Sequence, residues 1–248
     1  MTTQTLLPGL LDIEAVHNVR HMGYCRTGSG GTFCSDVLRA ATLGGLTDRG
    51  IVALRDVGVT TVVDLRSSRE LEMRPTPAMH AHGIHTIHAP VVEYDSSPLS
   101  HENFQGYAVR YRELLDLGRG AYGVLFTTIA EVEGAVLFHC SAGKDRTGIA
   151  AALLLELAGV SDEEIIEDYA RSAPLLDPLF EMWKPRFEEE GVPLETARRL
   201  MASDPEDMAL TLDYVRERWG SAEGYMLDIG VLPATIARLR ERLSPPVD

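Results

Sequence analysis

HCSAGKDRTG, residues His139 to Gly148, places five residues between Cys140 and Arg146 and leads straight into an apolar stretch. The residues before it, AVLFH (Ala135 to His139), form a short apolar run that reads as a strand, and Thr147 to Leu157 is apolar on nearly every side, as a central buried helix would be. A strand, a tight glycine-containing turn and a helix start aim several backbone N–H groups and the positive end of a helix dipole at one point. That point is an anion site, and Cys140 stands at its rim. Helix N-termini and neighbouring cations favour the thiolate over the thiol, which makes Cys140 a candidate nucleophile. Arg146 has a planar fork that grips two oxygens of a tetrahedral anion, a geometry lysine lacks. Gly143 permits the turn.

Outward from this loop the chain alternates helix and strand signals. Thr47 is placed to cap a helix running to about Val57, Gly58 ends it, and Val59 to Leu65 (VTTVVDL) is a β-branched run of the kind found in buried strands. Ile84 to Val91 reads as a second strand ended by Pro90, and helical spacing follows in Phe104 to Leu117 and Ala121 to Val132. Ser161 and Glu164 form a capping-box pattern for a helix after the loop helix. The pattern is that of an α/β chain.

Composition narrows the class. The 248 residues are 45% hydrophobic and 24% charged, enough for one large α/β domain or one domain with an insertion. A net charge of −14 argues against nucleic acid as a partner, because binding to the phosphate backbone needs clustered Lys and Arg. No apolar stretch reaches the roughly 18 residues of a membrane span, and the N-terminal stretch lacks the basic-then-apolar order of a secretory signal. The expectation is a soluble, cytoplasmic protein, with signal-less secretion left open. Three cysteines, Cys25, Cys34 and Cys140, are too few and too irregular for a disulfide framework.

HCSAGKDRTG resembles the HCxxGxxR[ST] signature loop of the cysteine-dependent protein tyrosine phosphatase superfamily. Leu38 to Glu70 (LRAATLGGLTDRGIVALRDVGVTTVVDLRSSRE) is similar to a pattern of its bacterial branch, whose members carry a helical lid and a lysine and aspartate in the loop. Leu212 to Val231 resembles that branch's C-terminal segment, while about Arg171 to Asp207 matches weakly. Two departures stand out. Asn18 to Gly23 (NVRHMG) replaces an NFRDLGG-like opening, and Arg39 is followed by Ala40 and Ala41 in place of a polar pair.

The resemblance implies a protein tyrosine phosphatase-like α/β fold, a mostly parallel central sheet flanked by helices. It also implies a single domain over residues 1–248 with a helical lid-like insertion at about 174–203, where Pro178, Pro185 and Pro193 break the chain into short pieces. The implied reaction is hydrolysis of a phosphate monoester through a cysteinyl-phosphate. Cys140 attacks; Ser141, Ala142, Gly143, Lys144, Asp145 and Arg146 hold the phosphate; Thr147 hydrogen-bonds the departing thiolate, and His139 orients the loop. No metal or cofactor is required. Two aspartates compete to be the general acid. Asp145 lies in the loop, as in phosphoinositide and myotubularin-like phosphatases that share the KDR sequence, whereas Asp64 ends a strand and either serves as acid, pairs with Arg66 or caps the following turn. Asp95 is a distant third.

The implied substrates are phosphotyrosine, with phosphoserine, phosphothreonine and phosphoinositides as extensions, and Lys144 is the candidate for binding a second phosphate or an acidic peptide flank. The alternatives are a phosphoinositide phosphatase or a phosphate-binding pseudophosphatase, although a pseudoenzyme commonly loses the Cys or Arg retained here. A sulfurtransferase loop lacks the Arg-Thr ending. The histidines His80, His82, His85 and His88 lack finger-like or helical ligand spacing, and alternate strand residues face opposite ways, so they do not read as a metal site. Oligomeric state is not legible.

Overall fold

The computed structural model describes residues 9–26, 32–93 and 106–243, with only the backbone of 23–26 and 32–35. The side chains of Cys25 and Cys34, and all of Asp95, therefore lie outside the described residues. Five strands form one sheet: β1 (Arg20–Arg26), β2 (Thr32–Ala40), β3 (Val59–Asp64), β4 (His85–His88) and β5 (Ala135–His139), in the spatial order β1-β2-β5-β3-β4. The last four in that order run parallel, and β1 is antiparallel to β2 at the edge. The sheet is mostly parallel and flanked by helices, as expected.

Burial on both faces explains the unbroken apolar strands. All five residues of β5 are buried. Phe138, Val136 and Val63 join a core with α3 (Tyr107–Leu117), α4 (Arg119–Glu131) and α5 (Asp145–Leu157), whereas Leu137, Val62 and Leu38 pack with α1 (Asp48–Asp56) on the other face. The α1 cap is Thr47, whose hydroxyl accepts from the Gly50 amide at 3.2 Å. Ser161 likewise caps α6 (Asp162–Ala170), accepting from Glu164 N at 3.4 Å.

Strands β1 and β2 are absent from the sequence reading. Their ends carry Arg20 and Arg39, buried at 4% and 1% exposure, and ionised side chains inside a sheet contradict the apolar pattern by which strands are read. Short α2 (Ser68–Met73) follows β3. After α6 come α7 (Ser172–Leu175), α8 (Asp177–Glu189) and α9 (Leu194–Met201), and then α10 (Pro205–Trp219), α11 (Ala222–Asp228) and α12 (Pro233–Leu243). Pro178 and Pro193 mark the starts of α8 and α9, but Pro185 lies inside α8 rather than breaking it. It sits on an exposed face, where water can serve the carbonyl left without a partner. Leu176, Leu179, Phe180, Phe187, Ala197 and Met201 build a small separate cluster that reaches the main body through Ala41 and Ala142.

Ala40, His139 and Asp64 stand side by side in the strand register. The chain segments leaving β2, β5 and β3 thus emerge together at the carboxyl edge of the sheet, where α/β folds place their sites. No helix among the described residues is long and apolar enough to cross a membrane.

Candidate active site

The loop between β5 and α5 is tied to both neighbouring strand exits. Leu65 N donates to His139 O at 2.8 Å, and Thr42 N donates to Ser141 O at 3.0 Å. Gly143 has φ +67, and a Cβ there would lie 2.4 Å from Ala40 O, so only glycine lets the loop pass this close to β2. Cys140, 1% exposed, sits at the base of this turn. Thr147, in the first turn of α5, keeps its buried Oγ1 without a hydrogen-bond partner among the described residues. The His139 ring faces Cys140 O through Nδ1 at 3.2 Å, while its Nε2 lies 3.6 Å from Asp64 Oδ2. Burial pushes the imidazole down, toward the neutral form.

Arg146 is held by a residue that sequence reasoning had placed only inside a family pattern. Its Nη1 and Nη2 donate to Glu70 Oε2 and Oε1 at 2.6 and 2.7 Å, a bidentate fork. Ser141 Oγ donates to Glu70 Oε1 at 2.5 Å, and Ser67 N to Oε2 at 2.8 Å. Glu70 and Ser67 form a capping box at the start of α2. The S-x-x-E spacing at Ser67 was the available signal. Burial works to raise the Glu70 carboxyl, but Arg146 and Ser141 outweigh it and hold the group far below the usual range. With Nη1 and one Nη2 hydrogen taken, the Nε side of the guanidinium is left to bind two oxygens of an anion.

The two candidate acids occupy different environments. Asp145 opens α5, lines the cavity above the loop and is 27% exposed. Its Oδ1 accepts from Tyr111 OH at 2.6 Å, and that hydroxyl also meets Tyr169 OH at 2.6 Å. Asp64 is 1% exposed and locked to Arg66, whose Nε and Nη2 reach its two oxygens at 2.9 and 2.6 Å. Thus Asp64 takes the pairing role foreseen as its alternative. Burial opposes ionisation there, yet His139 and Arg66 draw the carboxyl down to about 2.

Lys144 does not face the loop mouth. Its ammonium, 1% exposed, donates to Leu200 O and Ala202 O at 2.9 and 2.8 Å and lies 3.7 Å from the centre of the Tyr107 ring. The C-terminal carbonyls of α9 lack helical partners and so attract a cation. Tyr107 OH donates to the same Leu200 O at 2.6 Å. Above the loop lies a cavity of about 630 Å³ lined by Glu70, Tyr107, Asp145 and Arg146 on one side and by Met182, Trp183 and Phe187 of α8 on the other.

Behind the loop, Arg20 and Arg39 share the carboxylate of Asp168 on α6, at 3.0 and 2.6 Å. Burial and the like charge of Arg20 push the Arg39 guanidinium down to about 10, which leaves it charged at neutral pH. Burial works to raise Asp168, but the two arginines bring it down to about 2. Asp168 lay in no motif and was not foreseen.

A cysteine and a forked arginine stand on one loop at the carboxyl edge of the parallel strands, an arrangement that suits the hydrolysis of phosphoric monoesters. The chain belongs to the tyrosine phosphatase family, whose family model matches residues 11–245. A tyrosine-protein phosphatase of Nostoc commune is 32% identical over 222 residues, covering 83% of this chain and 73% of that one. The triple specificity protein phosphatase PtpB of Mycobacterium tuberculosis is 31% identical over 245 residues, covering 82% and 89%. Among solved structures, TpbA of P. aeruginosa aligns with a TM-score of 0.35 at 17% identity over 78% of this chain and 85% of its own.

Asp64 and Asp168 both titrate below their unfolded value, so the stability they contribute is complete above that value and is lost as pH falls through the folded one. Each shift, from 3.8 to about 2, corresponds to about 2 kcal/mol. The melting midpoint is expected to fall gently below about pH 6.5, where His139 gains a proton in the unfolded chain before the folded one, and to drop steeply between about pH 4 and about pH 2. Scanning calorimetry across that range checks this, and an unchanged midpoint at the acid end would show that these carboxyls are not held down.

Proposed function

We propose that the protein hydrolyses phosphotyrosine through a cysteinyl-phosphate intermediate. The observation that carries this reading is a cavity lined by Ser141, Ala142, Asp145 and Arg146, the residues that follow the buried Cys140, together with Tyr107, Trp183 and Phe187. A flat aryl phosphate passes between such walls and brings its phosphorus to the floor. Cys140 Sγ attacks phosphorus while the bond to the aryl oxygen breaks, and Asp145 gives its proton to that oxygen. Arg146, through the side of its fork not held by Glu70, and the loop amides neutralise the equatorial oxygens. Water then attacks phosphorus, Asp145 takes the water proton, the S–P bond breaks, and Thr147 Oγ1 donates to the departing thiolate. Asp145 suits the acid role better than Asp64, because it reaches the cavity while Asp64 is closed off by Arg66. The relative PtpB is named for triple specificity. For this chain phosphotyrosine comes first, since the ammonium of Lys144, the cation expected to meet a second phosphate on an inositol ring, is taken by Leu200 O and Ala202 O.

We also propose that α8 and α9 act as a lid of this single phosphatase domain. Their apolar residues pack chiefly on one another, and they roof the cavity over a cysteine with almost no exposure, so a bulky substrate has to displace them.

Cys140→Ser is expected to lose essentially all turnover of p-nitrophenyl phosphate while keeping its affinity for inorganic phosphate, since a neutral hydroxyl is a poor nucleophile in an intact anion site. Persistent turnover would rule out the covalent route. Asp145→Asn should lose ten-fold or more on an alkyl phosphate beyond its loss on a good aryl leaving group, and Asp64→Asn should show no such difference, because only a poor leaving group needs the proton. Equal losses on both substrates for Asp145→Asn would transfer the role elsewhere. For the lid, hydrogen exchange should show α8 and α9 amides opening at lower free energy than those of β5. Equal protection would make them ordinary core helices.

A further inference from the structure

The loop's own carbonyls point to a role for residues that never touch the substrate. Asn18 Nδ2 donates to Ala142 O and Gly143 O at 3.2 and 3.1 Å, and Arg39 Nη2 donates to Gly143 O at 2.8 Å. In a trans peptide the C=O and the following N–H point in opposite directions. Fixing the Ala142 and Gly143 carbonyls toward the rear therefore turns the amides of Gly143 and Lys144 forward, toward an anion in the loop. Flipping either peptide would aim an oxygen at the phosphate and forfeit these donors.

The donors are themselves held. Arg20 Nη1 donates to Asn18 Oδ1, which settles which end of the Asn18 amide faces the loop. Asn18 lies at φ 55, a left-handed conformation that asparagine tolerates better than most residues. Arg39 Nη1 and Arg20 Nε are both fixed by Asp168, and Arg20 Nη2 also reaches Ser172 Oγ at 3.2 Å. A Cβ at Gly148 would stand 3.1 Å from the Tyr169 ring and 3.6 Å from Arg39 Nη2. Glycine inside a helix costs about 1 kcal/mol relative to alanine, so α5 gives up stability where this packing lies. The two guanidiniums and one carboxylate leave a single positive charge behind the loop, on the side from which it favours an anion in front.

We propose that Asn18 and Arg39 are positioning residues of the phosphatase reaction, holding the Ala142 and Gly143 carbonyls so that the Gly143 and Lys144 amides meet the phosphoryl oxygens, with Arg20 and Asp168 holding both in place. This rests on the reading of Cys140 to Arg146 as a phosphate-binding loop. Amides prepositioned for developing charge contribute most in the transition state, so their misalignment lowers kcat and weakens transition-state mimics more than it changes KM.

The test uses Asn18→Gly, which keeps the left-handed backbone without strain, and Arg39→Met, which leaves Arg20 and Asp168 as a balanced pair. Inhibition constants for orthovanadate and inorganic phosphate, with kcat and KM, are measured on p-nitrophenyl phosphate for each variant and the native protein. An inhibition constant does not depend on how much of the sample is folded. The expected result is a rise of ten-fold or more in the vanadate constant, a smaller rise for phosphate, and a fall in kcat of ten-fold or more. Vanadate constants within two-fold of native in both variants, with activity falling only as the folded fraction falls, would overturn the proposal and make the cluster merely structural. If the native protein has no activity on p-nitrophenyl phosphate, the phosphatase reading itself fails, before the variants are compared.

Discussion

Charge buried at the carboxyl edge of the sheet has to be matched nearly atom for atom, and that requirement organises the molecule. Asp64 with Arg66 and Glu70 with Arg146 stand at or just beyond the ends of β3 and β5, and Asp168 on α6 joins Arg20 at the start of β1 to Arg39 at the end of β2. Removing one partner of a buried pair typically costs about 3–5 kcal/mol, a large part of the roughly 5–15 kcal/mol that holds a domain folded. Fold and site are therefore not separable here. Arg66 also donates to Thr42 Oγ1, Arg74 O and Thr76 Oγ1 at 2.9, 2.8 and 2.7 Å, and so ties three chain segments to the strand that supports the loop.

The pairs differ in what they leave available. Asp64 is filled by Arg66, whose other hydrogens go to Thr42, Arg74 and Thr76, and nothing of the aspartate reaches the cavity. Glu70 takes only one side of the Arg146 fork, so the guanidinium is both fixed in direction and able to bind. Both pairs have short contacts and strong electrostatic attraction. Chemistry follows from the donors left over, not from the strength of the pair.

The loop of the candidate site was legible because its parts are contiguous: Cys140, Gly143 and Arg146 need no knowledge of the fold to be read together. The strands β3 and β5 were equally plain, β3 as a β-branched run and β5 as a short apolar one, both suited to burial on both faces. Glu70 and Asp168 were not, because they meet Arg146 and Arg39 across 76 and 129 positions, and a carboxylate in a sequence looks the same whether it faces water or a guanidinium. Strands β1 and β2 were hidden for a related reason. Their most informative residues, Arg20 and Arg39, are buried by virtue of partners elsewhere in the chain, which local pattern cannot register.

Lys144 shows how a residue in a recognised motif can still be misplaced by its neighbours. From the loop sequence its ammonium belongs at the mouth, beside the phosphate. In the fold it points instead into a pocket closed by the end of α9, where two carbonyls and the face of Tyr107 compensate the loss of water, with Asp145 Oδ1 at 3.3 Å. Burial alone pushes such a group toward its neutral form, and these acceptors are what let it stay inside. Any movement of α9 away from the loop takes both carbonyls from Lys144 and leaves its charge beside Asp145. The position of the helices over the cavity and the electrostatics of the aspartate at the start of α5 are in this way joined through one side chain.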